Sequence, residues 1–220
     1  MTVETLLISL AIGLAVLALF FVGFLMLKTA LFSPAQKDVK PRGFVDVDGK
    51  SVAERLGLAV QFKTISHQDP EKVDSTAFFG LHRLLKTLYP EVHSRLNVET
   101  VNEYSLLYTW EGKDPSLNPI MLIAHLDVVP ANESDWTHPP FSGELVEGYV
   151  WGRGTLDDKL SVIGILEAVD YLLKQGFQPE RTVYLGFGHD EEIGGTNGAS
   201  AISALLESRG VRLGSVLDEG

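Results

Sequence analysis

The segment MLIAHLDVVP, residues 121–130, is an apolar run interrupted by His125-Leu126-Asp127. Its composition predicts a buried strand, and in a strand His125 and Asp127 project to the same side because side chains alternate. An imidazole and a carboxylate that project together suit a metal ligand and the acid that orients it. The tripeptide alone leaves a second interpretation open, since a single histidine at a strand end is more often a hydrogen-bonded structural residue. The rest of the sequence has to decide between the two.

Helical periodicity alternates with short apolar runs on both sides of this segment. The pattern predicts an α/β sandwich around a mixed, largely parallel sheet. A capping-box pattern predicts that the first of these helices begins at Ser51, and Pro90 predicts the end of the second. Helices are predicted at residues 51–60, 74–89, 159–175 and 196–209, and strands at residues 96–101, 105–110, 120–124, 182–187 and 215–217.

Acidic residues and histidines cluster directly after the predicted strands and after one glycine turn. Residues 157–158 follow the turn, residues 189–192 follow the 182–187 strand, and residues 218–219 follow the last strand. In sheets of this type ligands gather at the carboxyl ends of the strands. One histidine with several carboxylates from separate strands is the ligand set of a hydrolytic zinc site, often one with two ions. The repeated placement therefore favours a metal-dependent hydrolase over a solvated acidic surface.

Composition restricts the partners and the ligands. The chain has 220 residues, 45% of them hydrophobic, and a formal net charge of −11. Nucleic acids and anionic surfaces require a basic patch, so no nucleic-acid partner is expected. Without cysteine there is no disulfide and no thiolate site, and any metal must be held by histidine and carboxylates.

Residues 5–27 contain no charged side chain. A helix of this length spans a hydrocarbon layer of about 30 Å, so we expect an uncleaved single-pass anchor at residues 1–30, followed by a linker at residues 31–50. The alternative is a signal peptide whose removal would leave a secreted protein. Against it, the apolar run exceeds the roughly 7–15 residues of a signal core and no basic segment precedes it. Basic residues follow the span, which places the C-terminal side in the cytoplasm, but that rule says little about a long domain, so the side stays open.

Five motifs resemble the M20 family of metallopeptidases and amidohydrolases, most closely its carboxypeptidase S and N-acyl-amino-acid hydrolase branch. They are AHLDVVP at 124–130, PPFSG at 139–143, WGRGTLDDK at 151–159, GHDEEIGGTNGA at 188–199 and LDEG at 217–220. The resemblance runs from about residue 51 to the last residue. It implies a zinc-exopeptidase-like fold and hydrolysis of amide bonds in short peptides or N-acyl amino acids. Nothing in these residues chooses between the two substrate classes.

The resemblance also implies roles for single residues. The implied metal ligands are His125, Asp157, Glu192 and Asp218, and the implied catalytic residues are Glu191, the general base, and Asp127, the carboxylate that orients His125. Asp157 would bridge two zinc ions, and a cis peptide bond would follow it.

The family pattern continues beyond residue 220, through a lid or dimerisation domain to a C-terminal part that supplies a last histidine ligand. We therefore expect residues 51–220 to be the N-terminal part of a catalytic domain. The zinc site of His125, Asp157 and Asp218 would be complete, whereas the other would have only Asp157 and Glu192, so the chain alone is expected to have little or no activity. The oligomeric state stays open because the dimerisation domain is absent. The alternative is a non-catalytic, membrane-tethered remnant of the family.

Overall fold

The computed structural model describes residues 2–32, 43 and 45–219. The chain divides into two compact units, residues 1–46 and residues 47–220. Most of the predicted linker, at residues 33–42 and 44, lies outside the described residues.

The first unit contains one long helix, α1 (Val3–Ala30), which begins after the N-capping residue Thr2. Its most apolar window has a mean hydropathy of 2.8, and none of its residues is buried. At 1.5 Å per residue the helix is about 42 Å long, which exceeds the roughly 30 Å of a bilayer core. The helix is thus long and apolar enough to cross a membrane, a property that signal sequences share.

Within residues 47–219 the second unit has five α-helices and seven strands. The helices are α2 (Gly49–Val60), α3 (Ser75–Leu88), α4 (Pro90–Arg95), α5 (Lys159–Lys174) and α6 (Ala199–Ser208). The strands are β1 (Asn97–Val101), β2 (Ser105–Trp110), β3 (Ile120–His125), β4 (Glu144–Val146), β5 (Tyr149–Trp151), β6 (Val183–Gly188) and β7 (Ser215–Leu217).

Five strands form one sheet in the order β1-β2-β6-β3-β7. β3 runs parallel to β6 and to β7, whereas β2 is antiparallel to both of its neighbours. The sheet is therefore mixed, as predicted, and four of its five strands share one direction. β4 and β5 form a separate hairpin that the sequence did not predict. Its two-residue turn has Glu147 and Gly148 at positive φ, the conformation that two-residue hairpin loops require.

The two faces of the sheet are covered by different helices, which makes the unit a three-layer sandwich. The larger core cluster joins α2, α3 and α5 to one face, and a smaller cluster joins α6 to the other. Alternation along β2 assigns Leu106 to the larger cluster and Leu107 to the smaller one. Each fully buried leucine contributes about 1.5–3 kcal/mol, so the packing of both faces holds the strand ends in place.

Several helix boundaries differ from those predicted by one to three residues, the most at α6, which begins at Ala199 and not at residue 196. The N-cap of α2 is Asp48, whose carboxylate accepts hydrogen bonds from the backbone N–H and the hydroxyl of Ser51, so the helix begins before Ser51. Pro90 follows the end of α3 but also opens α4 as its first residue. Proline suits a first helical position because its fixed φ matches the helix and its missing N–H is not needed there.

Candidate metal centre

The parallel arrangement of β3, β6 and β7 brings three of the predicted clusters to one edge of the sheet. His125 is the last residue of β3 and is paired with Gly188, the last residue of β6. β6 leads into a short 3-10 helix, Glu191–Ile193, and β7 leads into residues 218–219. Because the carboxyl ends of parallel neighbours lie at the same edge of the sheet, the histidine and acidic side chains that follow these strands lie close together, as predicted.

His125 lies at the centre of this edge, with only 2% of its side chain exposed. Its Nε2 is 2.9 Å from Asp157 Oδ1, 3.2 Å from Glu219 Oε1 and 3.8 Å from Glu191 Oε2. Burial opposes protonation of the imidazole, but the hydrogen bond and charge of Asp127, with the charges of nearby acids, outweigh it and raise the pKa of His125 to about 10. The proton is stabilised by the same negative field that would attract a metal cation.

Asp127 is fully buried beneath His125. Its Oδ1 lies 3.3 Å from His125 Nδ1 and accepts a 3.1 Å hydrogen bond from the backbone N–H of Glu191. Its Oδ2 accepts a 3.2 Å hydrogen bond from the N–H of Glu192. Burial would raise the pKa of Asp127, but hydrogen bonds, first of all that from His125, lower it. His125 Nδ1 is also hydrogen-bonded to the Asp127 backbone carbonyl at 3.0 Å, so Asp127 contacts the imidazole through its main chain and its side chain. Its carboxylate also holds the turn that carries both glutamates.

Asp157 and Asp158 are joined by a cis peptide bond, as the family resemblance implies. The Asp157 carboxylate is 64% exposed and faces His125 Nε2. Asp158 is buried, accepts a 3.2 Å hydrogen bond from the backbone N–H of His125, and has its pKa raised by burial. The two neighbours thus have different surroundings, one facing the centre and the other supporting β3.

Glu191 and Glu192 also differ. A group of side chains able to hold a metal ion comprises His125, Asp157 and Glu192, with ligand atoms within 4.8 Å of one another. Burial, followed by the charge of Asp157, raises the pKa of Glu192, and its Oε1 accepts a hydrogen bond from the N–H of Val129. Glu191 lies outside that group, and its carboxylate is 53% exposed.

The strand end at β7 differs from the prediction. A second group able to hold a metal comprises His125, Asp158 and Glu219, whereas Asp218 is exposed and belongs to neither of the groups found among the described residues. Neighbouring residues in an extended segment project to opposite sides, so Asp218 and Glu219 do not face His125 together. Burial, followed by the charge of Asp158, raises the pKa of Glu219 to about 7.

Lys159 is a supporting residue that sequence reasoning missed. It follows Asp158 and is 1% exposed. Its ammonium donates to the backbone carbonyls of Ala59 (3.1 Å) and Phe62 (2.6 Å), at the end of α2, and burial lowers its pKa to about 7. A lysine inside a glycine- and aspartate-rich motif was the available signal, because a buried lysine needs such partners.

Comparison with known proteins identifies the family. Residues 121–218 match the model of peptidase family M20/M25/M40. The chain therefore contains a peptidase M20 domain at these residues. It is 45% identical over 197 residues to a probable carboxypeptidase S-like 2 of Dictyostelium discoideum, covering 88% of this chain and 37% of that protein. It is 41% identical over 220 residues to the N-fatty-acyl-amino acid synthase/hydrolase PM20D1 of Xenopus tropicalis, covering 99% of this chain and 43% of that protein. The chain thus spans roughly two fifths of the length of these relatives.

Solved structures share the fold. Human carnosine dipeptidase 1 matches with a TM-score of 0.60 and 20% identity, over 77% of this chain and 38% of that one. The M20 family metallo-carboxypeptidase Sso-CP2 from Sulfolobus solfataricus matches with a TM-score of 0.58 and 22% identity, over 80% and 38%. M20 enzymes are metal-dependent, and the donor set around His125, one imidazole nitrogen with carboxylate oxygens, fits a divalent cation.

Proposed function

We propose that this chain provides the metal-binding part of a zinc-dependent hydrolase that cleaves amide bonds in short peptides or N-acyl amino acids. The observation that carries the proposal is the position of His125 Nε2 within 3.8 Å of three carboxylate oxygens at the carboxyl edge of the sheet. The names of the relatives, carboxypeptidase S and N-fatty-acyl-amino acid hydrolase, support both substrate classes.

Zinc is the metal that the donor atoms suit best. The available ligands are a histidine nitrogen and aspartate or glutamate oxygens, and hydrolytic zinc sites use this mixture and leave a position open. His125, Asp157 and Glu192 would hold the ion. A further ligand would be Glu219, from the second group, or Asp218, which the family resemblance implies. When bound, the ion supplies Lewis-acid chemistry, polarising the amide carbonyl and making water more acidic.

The chain's own residues would supply proton transfer and orientation. Glu191 lies beside the ligand group without belonging to it, so its carboxylate is free to take a proton from the attacking water and return it to the departing amine. The Asp127 carboxylate would fix the His125 ring by its contact with Nδ1 of that ring. It also accepts a hydrogen bond from the backbone N–H of Glu191 and so would fix the backbone at Glu191. Because one buried carboxylate positions both groups, the base and the ligand keep a fixed relative orientation.

Zinc titration of the purified chain tests the metal centre. We expect one tightly bound ion per chain, at least a hundredfold weaker binding in His125→Ala, and little change in Glu191→Gln because Glu191 is not a ligand. Unchanged zinc affinity in His125→Ala, or two tightly bound ions, would overturn the proposed site.

Hydrolysis is then assayed with a panel of dipeptides and N-acyl amino acids, on the longest natural form that carries this sequence. Wild type should cleave at least one class. Glu191→Gln should lose at least 100-fold in turnover while retaining its zinc, since general base catalysis contributes about 10²–10⁴. Turnover by Glu191→Gln at the wild-type rate would refute its role.

We also infer that α1 is an uncleaved membrane anchor. Its length and hydropathy support the proposal, and the alternative of a cleaved signal sequence predicts a shorter mature chain. After alkaline carbonate extraction of membranes, the full-length chain should remain in the pellet. Release of the chain, or a mature N-terminus after residue 27, would exclude the anchor.

A further inference from the structure

A cavity of about 230 Å³ borders the 3-10 helix that carries Glu191 and Glu192. Three segments enclose it: the loop before α3, the turn between β1 and β2, and residues 189–197 after β6. Ile193, the residue after Glu192, lines it. Ser66, another lining residue, lies beside Asp127. The cavity and the metal centre therefore share a wall.

Part of the cavity lining is apolar and aromatic. Val73 and Ile193 contribute aliphatic surface, and the rings of Phe78 and Tyr104 stack with centroids 5.0 Å apart. The His189 ring meets the Tyr104 ring edge-on at 5.4 Å. An apolar group with a ring would find aromatic faces and edges here, which favour such contacts beyond simple burial.

Two of the polar side chains at the wall that follows β6 are hydrogen-bonded to the protein, whereas His67 and Glu103 line the cavity from the other two segments. Asp190 accepts two 2.7 Å hydrogen bonds, from the N–H groups of Asn197 and Gly198. His189 Nδ1 is hydrogen-bonded to the Ser105 hydroxyl at 2.7 Å, and burial lowers the pKa of His189. Asp190 and His189 are therefore held in place by the protein at this wall.

Two hydrogen bonds fasten the segments around the cavity to one another. The Gln68 side chain donates to the carbonyl of Ile193 at 3.1 Å, and the Asn102 side chain donates to the carbonyl of Asn197 at 2.9 Å. The walls are thus held together before a ligand arrives, which reduces the ordering cost of binding.

We propose that this cavity is the subsite for the apolar group next to the scissile amide, with room for a benzyl group or a branched aliphatic chain. The inference rests on the proposed function, because it places the scissile amide at the metal centre. A cavity of about 150 Å³ accommodates benzene, so 230 Å³ accepts one ring with a few more carbons. The group could belong to the amino acid or to the acyl part of the substrate.

The test measures binding, so it does not require turnover. The zinc-loaded full chain, in detergent and labelled at isoleucine and valine methyl groups, is titrated with three uncharged amides while the Ile193 signal is followed by NMR. N-acetylglycine amide lacks the ring, N-acetylphenylalanine amide carries it on the amino-acid side, and N-phenylacetylglycine amide carries it on the acyl side. We expect at least one ring-bearing amide to bind about tenfold or more tightly than N-acetylglycine amide, since burying a ring contributes at least that much. The tighter of the two identifies the side that enters the cavity.

Val73→Phe should fill the cavity and reduce the ring preference to less than twofold. Val98→Phe is the matched control, because Val98 on β1 also packs against the larger core cluster but does not line the cavity. If Val73→Phe fails to fold, Tyr104→Ala, which removes one of the stacked rings, should weaken the ring-bearing amide at least fivefold. Equal binding of all three amides by wild type, or a ring preference that survives in Val73→Phe or Tyr104→Ala, would overturn the inference. Failure of the proposed function is detected separately, as absent zinc binding or absent hydrolysis.

Discussion

Replacing Asp127 by asparagine tests whether one buried carboxylate organises the metal centre. The substitution preserves shape but removes the charge and converts one acceptor oxygen into an NH2 donor. In the native protein the two oxygens accept from the N–H groups of Glu191 and Glu192, and Oδ1 lies 3.3 Å from His125 Nδ1. Asparagine can satisfy only one of the two N–H groups, so the other is left facing a second donor.

The size of the effect follows from these contacts. A hydrogen bond to a charged acceptor contributes about 1.5–3 kcal/mol, and an unpaired buried N–H costs a further part of that range. We therefore expect Asp127→Asn to lower the free energy of unfolding of the metal-free chain by about 2–3 kcal/mol. The loss of the group that orients the ligand histidine should weaken zinc binding about 10–100-fold.

Urea unfolding and competition with a chelator measure the two effects on the same samples. Asp157→Asn is the control, because its carboxylate also faces His125 but is 64% exposed. It should change the unfolding free energy by no more than about 0.5 kcal/mol, while weakening zinc binding at least as much as Asp127→Asn. Wild-type unfolding and wild-type zinc affinity in Asp127→Asn would refute the reasoning.

Two further predictions concern titration and support. The pKa of His125 is raised to about 10 in the folded chain, so the folded chain holds this proton more tightly than the unfolded chain does. Protonation of His125 therefore stabilises the metal-free fold fully below about pH 6.5, and this stabilisation is lost as the pH rises through about 10. Zinc must displace that proton, so calorimetry at pH 7.5 in two buffers of different ionisation enthalpy should show about one more proton released by wild type than by His125→Ala; equal release would contradict the prediction. Lys159→Met removes both hydrogen bonds to the end of α2 and should lower the unfolding free energy by about 2 kcal/mol in urea. Lys174→Met, whose ammonium is 62% exposed beside Asp170, should change it by less than about 0.5 kcal/mol, and equal effects of the two variants would argue against the buried role.

The elements that were predicted correctly are those whose apolar composition indicates that they are buried. β3 and β6 are central strands, with a parallel neighbour on at least one side, so their apolar runs are almost continuous. The β4–β5 hairpin was not predicted because its strands have three residues each and none of these residues is buried, so the glycine turn was the only signal. Helix α4 was not predicted because Pro90 follows the end of α3 and is also the first residue of α4. A single proline does not indicate both a helix end and a new helix start.

The site shows the same division between local and non-local information. His125, Asp157 and Glu192 were predicted, and the structure brings them together, since each follows a recognisable strand or turn. The direction of the chain as it leaves β7 determines whether residue 218 or residue 219 faces His125. Two adjacent acidic residues in the sequence do not indicate that direction. The hydrogen bonds that Asp127 accepts from the N–H groups of residues 191 and 192 span more than sixty positions, and no local pattern predicts such a contact.

The concentration of carboxylates around one imidazole explains why this edge of the sheet suits a cation. Two like charges at 4.8 Å, the separation within which the ligand atoms lie, repel by roughly 3.5 kcal/mol at an effective dielectric constant near 20. In the metal-free chain this repulsion is relieved by raising the pKa values of Glu192 and Glu219 and by holding a proton on His125. A divalent cation would relieve it for all of these groups at once, so the free energy that the fold loses by gathering the acids is recovered as affinity for the ion. Zinc should therefore raise the stability of the folded chain in proportion to the logarithm of its concentration above the dissociation constant.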